Sequence, residues 1–389
     1  MRFRLGVAGV ILAGLVVGPV PLTAQQTTAA AAPKNDLPWK DSYFPYINSA
    51  PNDFPMFYGH FSYFKRADYE ARSIFAANLS IDGGIGFHGS RALIATFNAP
   101  LLWPHWRLAA RAGTYRQGRL GYYGLGNSTK IDQAIQDTAS DYYRVHRTRH
   151  WVQAEVSREI VSRLLLAVNG AYLPSHFTTV SGPSLFQAEF GNDVKDTDLR
   201  GGVRLVYDGR NNDYNPRSGF YAEAGAMAGS GGDGYQRYGG ILGAWLPIPI
   251  TEGTLLAGWV GGSNINGSPP LNARFEVPIW ETEIPVLGGA HSNRGLPSQR
   301  FVGRGVLAAR LEARQDIINA GDFGALIVFL FADAGRVFEN EPFKITTEDM
   351  KLGAGGGLAI RLLRSTIIAF NFAGGPEGFQ FSAGASWPF

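Results

Sequence analysis

The side chains most often used for nucleophilic catalysis and metal binding form no recognisable pattern in this sequence. The chain has no cysteine, which excludes thiol catalysis, disulfides and cysteine-ligated zinc. None of its seven histidines stands in a pattern with serine and aspartate that would predict a hydrolase. His146 and His150 are four residues apart, which on a strand separates them by about 13 Å, too far to share a metal ion. We therefore predict no catalytic residue, no metal site, no cofactor and no enzyme activity.

A second kind of chemistry is open to the charged residues, which could form an ion pair away from water. Glu312 and Asp333 each lie in a segment where polar and apolar residues alternate, and Arg294 lies in a long stretch between such segments. If that stretch folds into an interior formed by the segments, the guanidinium would reach both carboxylates and bind them in a bidentate manner. The alternative is a solvated Arg294 and an Asp333 that ends its strand at the water interface. The residues alone leave both open.

A group of five other arginines falls in segments of the same alternating kind. They could line an anion-selective channel, because rings of arginine favour the passage of anions. The simpler interpretation is the ordinary polarity of a water-filled interior. These residues are Arg107, Arg111, Arg144, Arg147 and Arg149.

The composition indicates which elements position these side chains. The 389 residues include 50 glycines and 13% aromatic residues, but only 17% are charged, so the chain is not of the disordered class. The mean hydropathy of −0.07 is far below that of a helical membrane protein. An aromatic-rich and glycine-rich chain of neutral hydropathy favours many strands, each with one apolar and one polar face.

Residues 1–24 have the organisation of a signal peptide. Arg2 and Arg4 precede an apolar segment, and a small-residue cleavage site ends at Ala24. The apolar segment is shorter than the roughly 20 residues that a membrane helix needs. We predict a flexible leader over residues 25–56. Because the signal peptide carries two of the basic residues, the formal net charge of +3 does not indicate a nucleic-acid partner, and we expect none.

Residues 57–389 are predicted to form a transmembrane antiparallel β-barrel, an all-β fold. Segments of about ten residues alternate apolar and polar side chains, as strands do between lipid and a water-filled lumen. Direct counting gives 14 strands, and a further pair in 57–72 would give 16. From residue 118 onward, long and short connections alternate, as do the outer loops and periplasmic turns of outer-membrane barrels. In the last segment, Trp387 and Phe389 fall on the apolar face.

Three motifs carry a resemblance to a known superfamily. Residues 287–296 read LGGAHSNRGL, residues 331–335 read FADAG, and residues 208–219 read DGRNNDYNPRSG. They resemble the loop-six signature, the FxDxG strand and the D-x-R-D…P-x-x-G turn of the BamA/TamA superfamily (bacterial surface antigen family). Asn293 and Leu296 stand where the family has a valine and an aromatic residue.

The resemblance implies a sixth outer loop that folds back into the lumen and a set of residues that hold it there. The implied loop-six residues are Arg294, Gly295, Gly288 and Gly289. Their implied partners on the lumen wall are Asp333, Gly335, Glu312 and Phe331. The C-terminal aromatic residues implied as the signal read by the barrel-assembly machinery during biogenesis are Phe389 and Trp387.

The resemblance also implies a location and a role. We expect an integral protein of the outer membrane, in contact with its lipid bilayer, that takes part in inserting or translocating protein or lipid. One alternative is a passive diffusion channel of the porin kind, and a second is a structural surface protein without transport.

BamA and TamA carry periplasmic polypeptide-transport-associated (POTRA) modules before the barrel. The segment between the predicted cleavage site and the first predicted strand is too short for such a module. We therefore expect a short form without POTRA modules, for which a separate periplasmic protein is a candidate partner.

Overall fold

The structure is a computed structural model that describes residues 37–50, 52–69, 71–278, 283–363, 366–384 and 387. Within those ranges the chain is mostly strand, and the strands follow one another with few helical turns. The strands are β1 (Trp39–Ala50), β2 (Asp53–Arg66), β3 (Phe75–Gly86), β4 (Arg91–Trp103), β5 (Trp106–Gly121), β6 (Arg144–Val161), β7 (Leu164–Thr179), β8 (Asp193–Asp208), β9 (Gly219–Gly229), β10 (Gly234–Pro247), β11 (Thr254–Ser268), β12 (Glu276–Pro278), β13 (Glu283–Pro285), β14 (Gly305–Asn319), β15 (Gly324–Phe338), β16 (Lys351–Leu362), β17 (Thr366–Gly375) and β18 (Gly378–Gly384).

Two short helices, α1 (Gln133–Thr138) and α2 (Leu185–Phe190), lie in the long loops. Two 3₁₀ turns, Leu271–Arg274 and Gly321–Phe323, complete the helical elements of the described ranges. None of these helices is long and apolar enough to cross a membrane.

Sixteen strands form one antiparallel sheet in which each strand pairs with the next along the chain. The order runs from β1 to β11 and then from β14 to β18, and β12 and β13 form a separate hairpin inside the connection between β11 and β14. This confirms the prediction of an all-β antiparallel barrel of 16 strands. The fourteen strands counted from the sequence correspond to β3–β11 and β14–β18.

Alternation of side chains along the strands separates the two faces of the barrel wall. In β14, Leu311 is 51% exposed on the outer face, whereas its neighbour Glu312 is fully buried on the inner face. In β15, Leu330 is 70% exposed and Phe331 is buried. Because successive strand residues point to opposite faces, this pattern gives an apolar outer belt and a lumen lined by charged and aromatic residues.

The prediction of a flexible leader over residues 25–56 is wrong from Trp39 onward. Residues Trp39–Ala50 form β1, which pairs with β2 over its whole length, and the predicted pair of strands in 57–72 is the single strand β2. Pro45 and the polar residues around it made β1 read as a leader. Proline is tolerated there because β1 is the first strand of the sheet, and an end strand has one side on which no neighbour needs its N–H. The predicted signal peptide, residues 1–24, lies outside the described residues.

The long loops pack together over one end of the barrel. Their centre is an apolar cluster that includes Tyr122, Phe177, Phe186 and Phe275. Burial raises the pKa of Tyr122 well above its ordinary value, and the hydrogen bond that its hydroxyl donates to Glu189 adds to this effect. A buried aromatic cluster with satisfied polar groups makes this end of the barrel a folded cap.

Candidate functional site

The connection between β11 and β14, described over residues 269–278 and 283–304, enters the barrel and is called the lumen loop below. Its turn depends on two adjacent glycines, Gly288 with φ 112° and Gly289 with φ 94°, a region that residues with a Cβ rarely adopt. The N–H of Gly289 donates to the carbonyl oxygens of Asn293 (3.0 Å) and Leu296 (3.1 Å). This closes a compact turn that carries Arg294 between these two residues.

Arg294 binds Asp333 of β15 through three hydrogen bonds. Its Nη2 donates to Asp333 Oδ1 at 2.7 Å, its Nε donates to Oδ2 at 2.8 Å, and its backbone N–H donates to Oδ2 at 2.9 Å. Its Nη1 also donates to Glu312 Oε1 of β14. The side chains of all three residues are fully buried, so this is a desolvated, bidentate pair with a second carboxylate beside it.

Two further arginines of β14 belong to the same cluster, and the sequence did not identify them as partners. Arg310 Nε lies 3.3 Å from Asp333 Oδ1, and Arg314 Nη2 lies 2.7 Å from Glu312 Oε2. Arg310, Glu312 and Arg314 alternate along the strand, so their shared inner face was visible in the sequence. Their depth relative to Asp333 was not, because it depends on the register of β14 against β15.

The aromatic and glycine residues predicted for this site lie around the same cluster. The guanidinium carbon of Arg294 is 3.5 Å from the ring centroid of Phe331, a stacked cation–π contact. A Cβ on Gly295 would lie 2.6 Å from Gly353 Cα of β16 and 2.7 Å from the carbonyl oxygen of Gly374 in β17. Gly335 lies directly under Leu287 of the lumen loop. Close approach of the loop backbone to the wall therefore requires glycine on both sides.

The two residues that depart from the family pattern are well packed. Asn293 is fully buried, its Nδ2 donates to the carbonyl oxygen of Lys351 at 2.9 Å, and its Oδ1 accepts from the N–H of Gly295 at 3.0 Å. Leu296 is buried in a cluster with Leu287, Trp259 and other apolar residues. The substitutions therefore exchange an apolar contact for an amide bridge to β16 and retain the packing of the loop.

The lumen loop has a second attachment, on the opposite part of the wall. Glu276 of β12 forms ion pairs with Arg147, at 2.8 Å, and with Arg149, both of β6. Arg147 Nη1 also donates to Asn272 Oδ1 at 3.1 Å. These two arginines, predicted as candidates for an anion-selective lining, instead bind the loop. The other three are elsewhere: Arg144 donates to Tyr123 Oη, and Arg107 and Arg111 face a separate part of the lumen.

The third sequence motif forms a charged clamp at the end of the barrel that carries the short turns. Asp208 is fully buried and accepts from Arg210 Nε at 2.9 Å and from Arg72 Nη2 at 2.5 Å. Arg72 also reaches Asp213 at 2.7 Å. The motif thus ties the β8–β9 turn to the β2–β3 connection.

Trp387 does not lie on the outer face, as its alternation with Phe379 and Phe381 predicted. Those two residues are exposed on the outside, but β18 ends at Gly384, and Trp387 is buried inside. Its indole N–H donates to Asn215 Oδ1 at 2.8 Å, and the Arg314 guanidinium carbon stands 3.7 Å from its ring centroid. These two polar contacts satisfy the indole inside the lumen. Phe389 lies outside the described residues.

Residues 78–387 match the family model of the Omp85 superfamily domain. A search of the curated proteins finds no match.

Several solved structures share the fold. BamA from Haemophilus ducreyi lacking POTRA domains 1–3 matches with a TM-score of 0.57 and 13% identity, over 90% of this chain and 70% of that one. CdiB from Escherichia coli matches with a TM-score of 0.57 and 12% identity, over 90% of this chain and 62% of that one. CdiB from Acinetobacter baumannii matches with a TM-score of 0.53 and 13% identity, and this chain spans 59% of its length. At such identities the likeness concerns the barrel fold.

Proposed function

Because this chain belongs to the Omp85 superfamily of outer-membrane barrels, as its motifs predicted, we propose that it takes part in inserting or translocating a polypeptide or lipid at the outer membrane. The protein is an integral outer-membrane barrel, with its long loops outside and its short turns in the periplasm. Members of the superfamily work in that membrane together with other proteins, and we propose a separate periplasmic protein as the partner here.

The observation that carries the proposal is the attachment of the lumen loop through Arg294. A passive diffusion channel needs an open water-filled lumen, but here a loop with a buried ion pair to Asp333 and Glu312 occupies part of it. A structural surface protein would need neither this cluster nor a close glycine contact inside the barrel. A loop fixed in the lumen supports a regulated route in preference to a permanent pore.

The wall of the barrel offers a place for such a route. The order of strands in the sheet begins at β1 and ends at β18, so these two strands are the ends of the sheet. A strand at the end of a sheet has backbone N–H and C=O groups available to pair with an added strand. We propose that a substrate passes either beside the lumen loop or between these two end strands.

The proposal is tested by comparing outer membranes of cells that lack the protein with those of cells complemented by the wild type or by Arg294→Ala. Quantitative proteomics and lipid analysis should show loss of specific outer-membrane proteins or a change in lipid distribution without the protein. The wild-type gene should reverse this change, and purification from the intact envelope should recover a periplasmic partner.

A different pair of results would contradict the proposal. If outer-membrane composition is unchanged and the purified wild type gives large, steady conductance in planar bilayers, the protein is a diffusion channel. If composition is unchanged and the conductance is negligible in the wild type and in Arg294→Ala, the structural role remains.

A further inference from the structure

A second part of the lumen, away from the lumen loop, is open and basic. A cavity of about 400 Å³ lies against the inner faces of β4 to β9. Ser73, Asp213 and Tyr214 from the short-turn end contribute to its lining, so it lies toward the periplasmic mouth. Its volume is in the range of protein sites that hold small ligands or a few residues of a chain.

Four arginines line this cavity, and two of them, Arg107 and Arg111, lie on β5. They are four residues apart on one strand face, so they lie about 13 Å apart along the wall. Among the described residues, no carboxylate lies within ion-pair distance of either; Glu159 acts on Arg107 only at longer range. Two half-buried arginines that line a cavity inside a barrel favour a bound anion.

The two carboxylates that line the cavity, Glu155 and Asp213, each pair with another arginine. Glu155 pairs with Arg204, which also holds Glu223 at 3.2 Å. Asp213 pairs with Arg72 at 2.7 Å. The positive charge of Arg107 and Arg111 is therefore available to a ligand.

The remaining lining favours a peptide over a lipid. Asn98, Gln153 and Asn169 place amide groups along the cavity, and amides match the N–H and C=O groups of an extended backbone. A neighbouring apolar pocket of about 60 Å³ shares Asn169 and Arg204 with the cavity, and it could hold one small apolar side chain. The mouth opens to the aqueous periplasm, where acyl chains of a lipid would remain unfavourably hydrated.

We propose that this cavity binds an acidic, extended polypeptide segment that enters from the periplasm, with Arg107 and Arg111 pairing with its carboxylates. The inference rests on the proposed role of the barrel in handling polypeptides. It names the feature that the barrel recognises: carboxylate side chains spaced along an unfolded segment. Bidentate pairing with arginine supplies both affinity and preference for the carboxylate.

The test measures binding to the purified full-length protein in lipid nanodiscs, and needs no insertion or translocation activity. Fluorescein-labelled hexaglutamate and hexaglutamine are titrated by fluorescence anisotropy at low salt. The wild type should bind hexaglutamate at least about tenfold more tightly than hexaglutamine, and Arg107→Gln with Arg111→Gln should lose most of that preference, about tenfold in affinity. The matched control, Arg91→Gln with Arg158→Gln, removes the same charge outside the cavity and should bind as the wild type does.

A second measurement locates the peptide and does not depend on the arginine variants. The chain has no cysteine, so Asn98→Cys introduces a single thiol in the cavity, and Thr251→Cys introduces one in a turn outside it. Hexaglutamate should slow maleimide labelling of Asn98→Cys and leave Thr251→Cys unaffected. Arg111→Gln alone, which breaks no ion pair of the described residues, should weaken that protection if the double variant does not fold.

Three results would overturn the proposal. Equal binding of the two peptides would show no preference for carboxylates. Undiminished binding by the double variant, or no protection of Asn98→Cys, would place the peptide elsewhere. Displacement of hexaglutamate by phosphatidylglycerol in the nanodisc, at lower concentration than by unlabelled hexaglutamate, would make this a lipid-phosphate site. A failure of the cellular test with success of this one would leave a peptide-binding barrel without the proposed insertion role.

Discussion

Arg294 and Asp333 face each other as a planar pair, with two side-chain hydrogen bonds of 2.7 and 2.8 Å and a third from the Arg294 backbone. The two residues are 39 positions apart, one on a loop and one in the middle of a strand. Burial removes the competition of water, and the third bond fixes the backbone of the loop as well as its side chain. The pair therefore determines where the lumen loop lies.

We predict that Arg294→Ala destabilises the folded barrel without preventing its formation. Asp333 would retain Arg310 and Glu312 would retain Arg314, so the loss should be about 2 kcal/mol, less than the roughly 3–5 kcal/mol of a buried charge left alone. The measurement is the midpoint temperature of the heat-induced mobility shift on a gel. Arg294→Lys keeps the charge but loses the planar geometry, so its midpoint temperature should lie between those of the wild type and Arg294→Ala.

Two controls accompany this prediction. Lys344→Ala removes an exposed i, i+4 ion pair and should change stability by less than about 0.5 kcal/mol. Arg294→Glu combined with Asp333→Arg should recover only part of the loss, because Asp333 also accepts from the Arg294 backbone and from Arg310. A midpoint for Arg294→Ala equal to that of Lys344→Ala would show that the pair does not hold the loop.

The same substitution should change conductance in planar bilayers. With its guanidinium removed, the lumen loop loses its attachment to β14 and β15 and moves more freely, so Arg294→Ala should give larger or steadier current than the wild type. Arg336→Ala serves as the control, because Arg336 pairs with Glu341 outside this cluster. Identical current traces for the wild type and Arg294→Ala would argue that the loop does not obstruct the lumen.

Gly295→Val should displace the lumen loop by steric conflict alone. The added atoms would meet Gly353 Cα and the Gly374 carbonyl, which are backbone atoms and cannot rotate away. We expect a destabilisation of about 1–3 kcal/mol, the usual range for overpacking, with the charges of the cluster unaltered. Gly321→Ala tests the assay, since a Cβ there meets open space and only the positive φ of 60° is strained. Proteolysis of the lumen loop is the second measurement. If Gly295→Val has the stability of the wild type and its loop resists protease equally well, the close contact is refuted.

Substitutions of Trp387 test whether this residue stabilises the barrel from inside, through its contacts with Arg314 and Asn215. Trp387→Phe keeps a ring for Arg314 and loses the bond to Asn215, so it should cost about 1 kcal/mol. Trp387→Ala also empties a buried site and should cost about 3 kcal/mol or more. Asn215→Ala should cost about as much as Trp387→Phe, and the double variant of Asn215→Ala with Trp387→Phe should add little. Full additivity of the two would show that they do not share a hydrogen bond.

Phe389 stays a predicted assembly signal. Phe389→Ala should reduce the amount of heat-modifiable barrel in the outer membrane because the assembly machinery would recognise it less well. Phe381→Ala, a change on the exposed outer face of β18, is the matched aromatic control. Normal levels of folded protein in Phe389→Ala cells would remove this residue from the signal.

Much of the fold could be predicted because alternation is a local property. The inner and outer faces of β14 follow from Leu311 and Glu312 without any knowledge of the neighbouring strands. β1 escaped prediction because Pro45 breaks the usual composition of a strand, and only its position at the end of the sheet makes proline acceptable.

In the candidate site, too, the features that depend on local sequence were predicted and those that depend on the arrangement of strands were not. Arg294 and Asp333 were predicted as partners, but Arg310 and Arg314 were not, since depth in the lumen depends on strand register. The inward position of the Trp387 side chain could not be predicted from the sequence either. It depends on where β18 ends and on two partners, Arg314 and Asn215, that are distant in sequence.

Two of the attachments of the lumen loop to the wall are ion pairs, one through Glu276 to β6 and one through Arg294 to β14 and β15. Strands β6 and β14 are six positions apart in the order of sixteen strands, so the loop crosses the lumen between two separate parts of the wall. Contacts with both parts of the wall oppose flattening of the barrel. The loop also divides the wall into two arcs, a continuous one from β7 to β11 and one that contains the two ends of the sheet. Only the second arc contains strands that lack a neighbour on one side, so we expect a shorter or longer loop to change how readily β1 and β18 move apart.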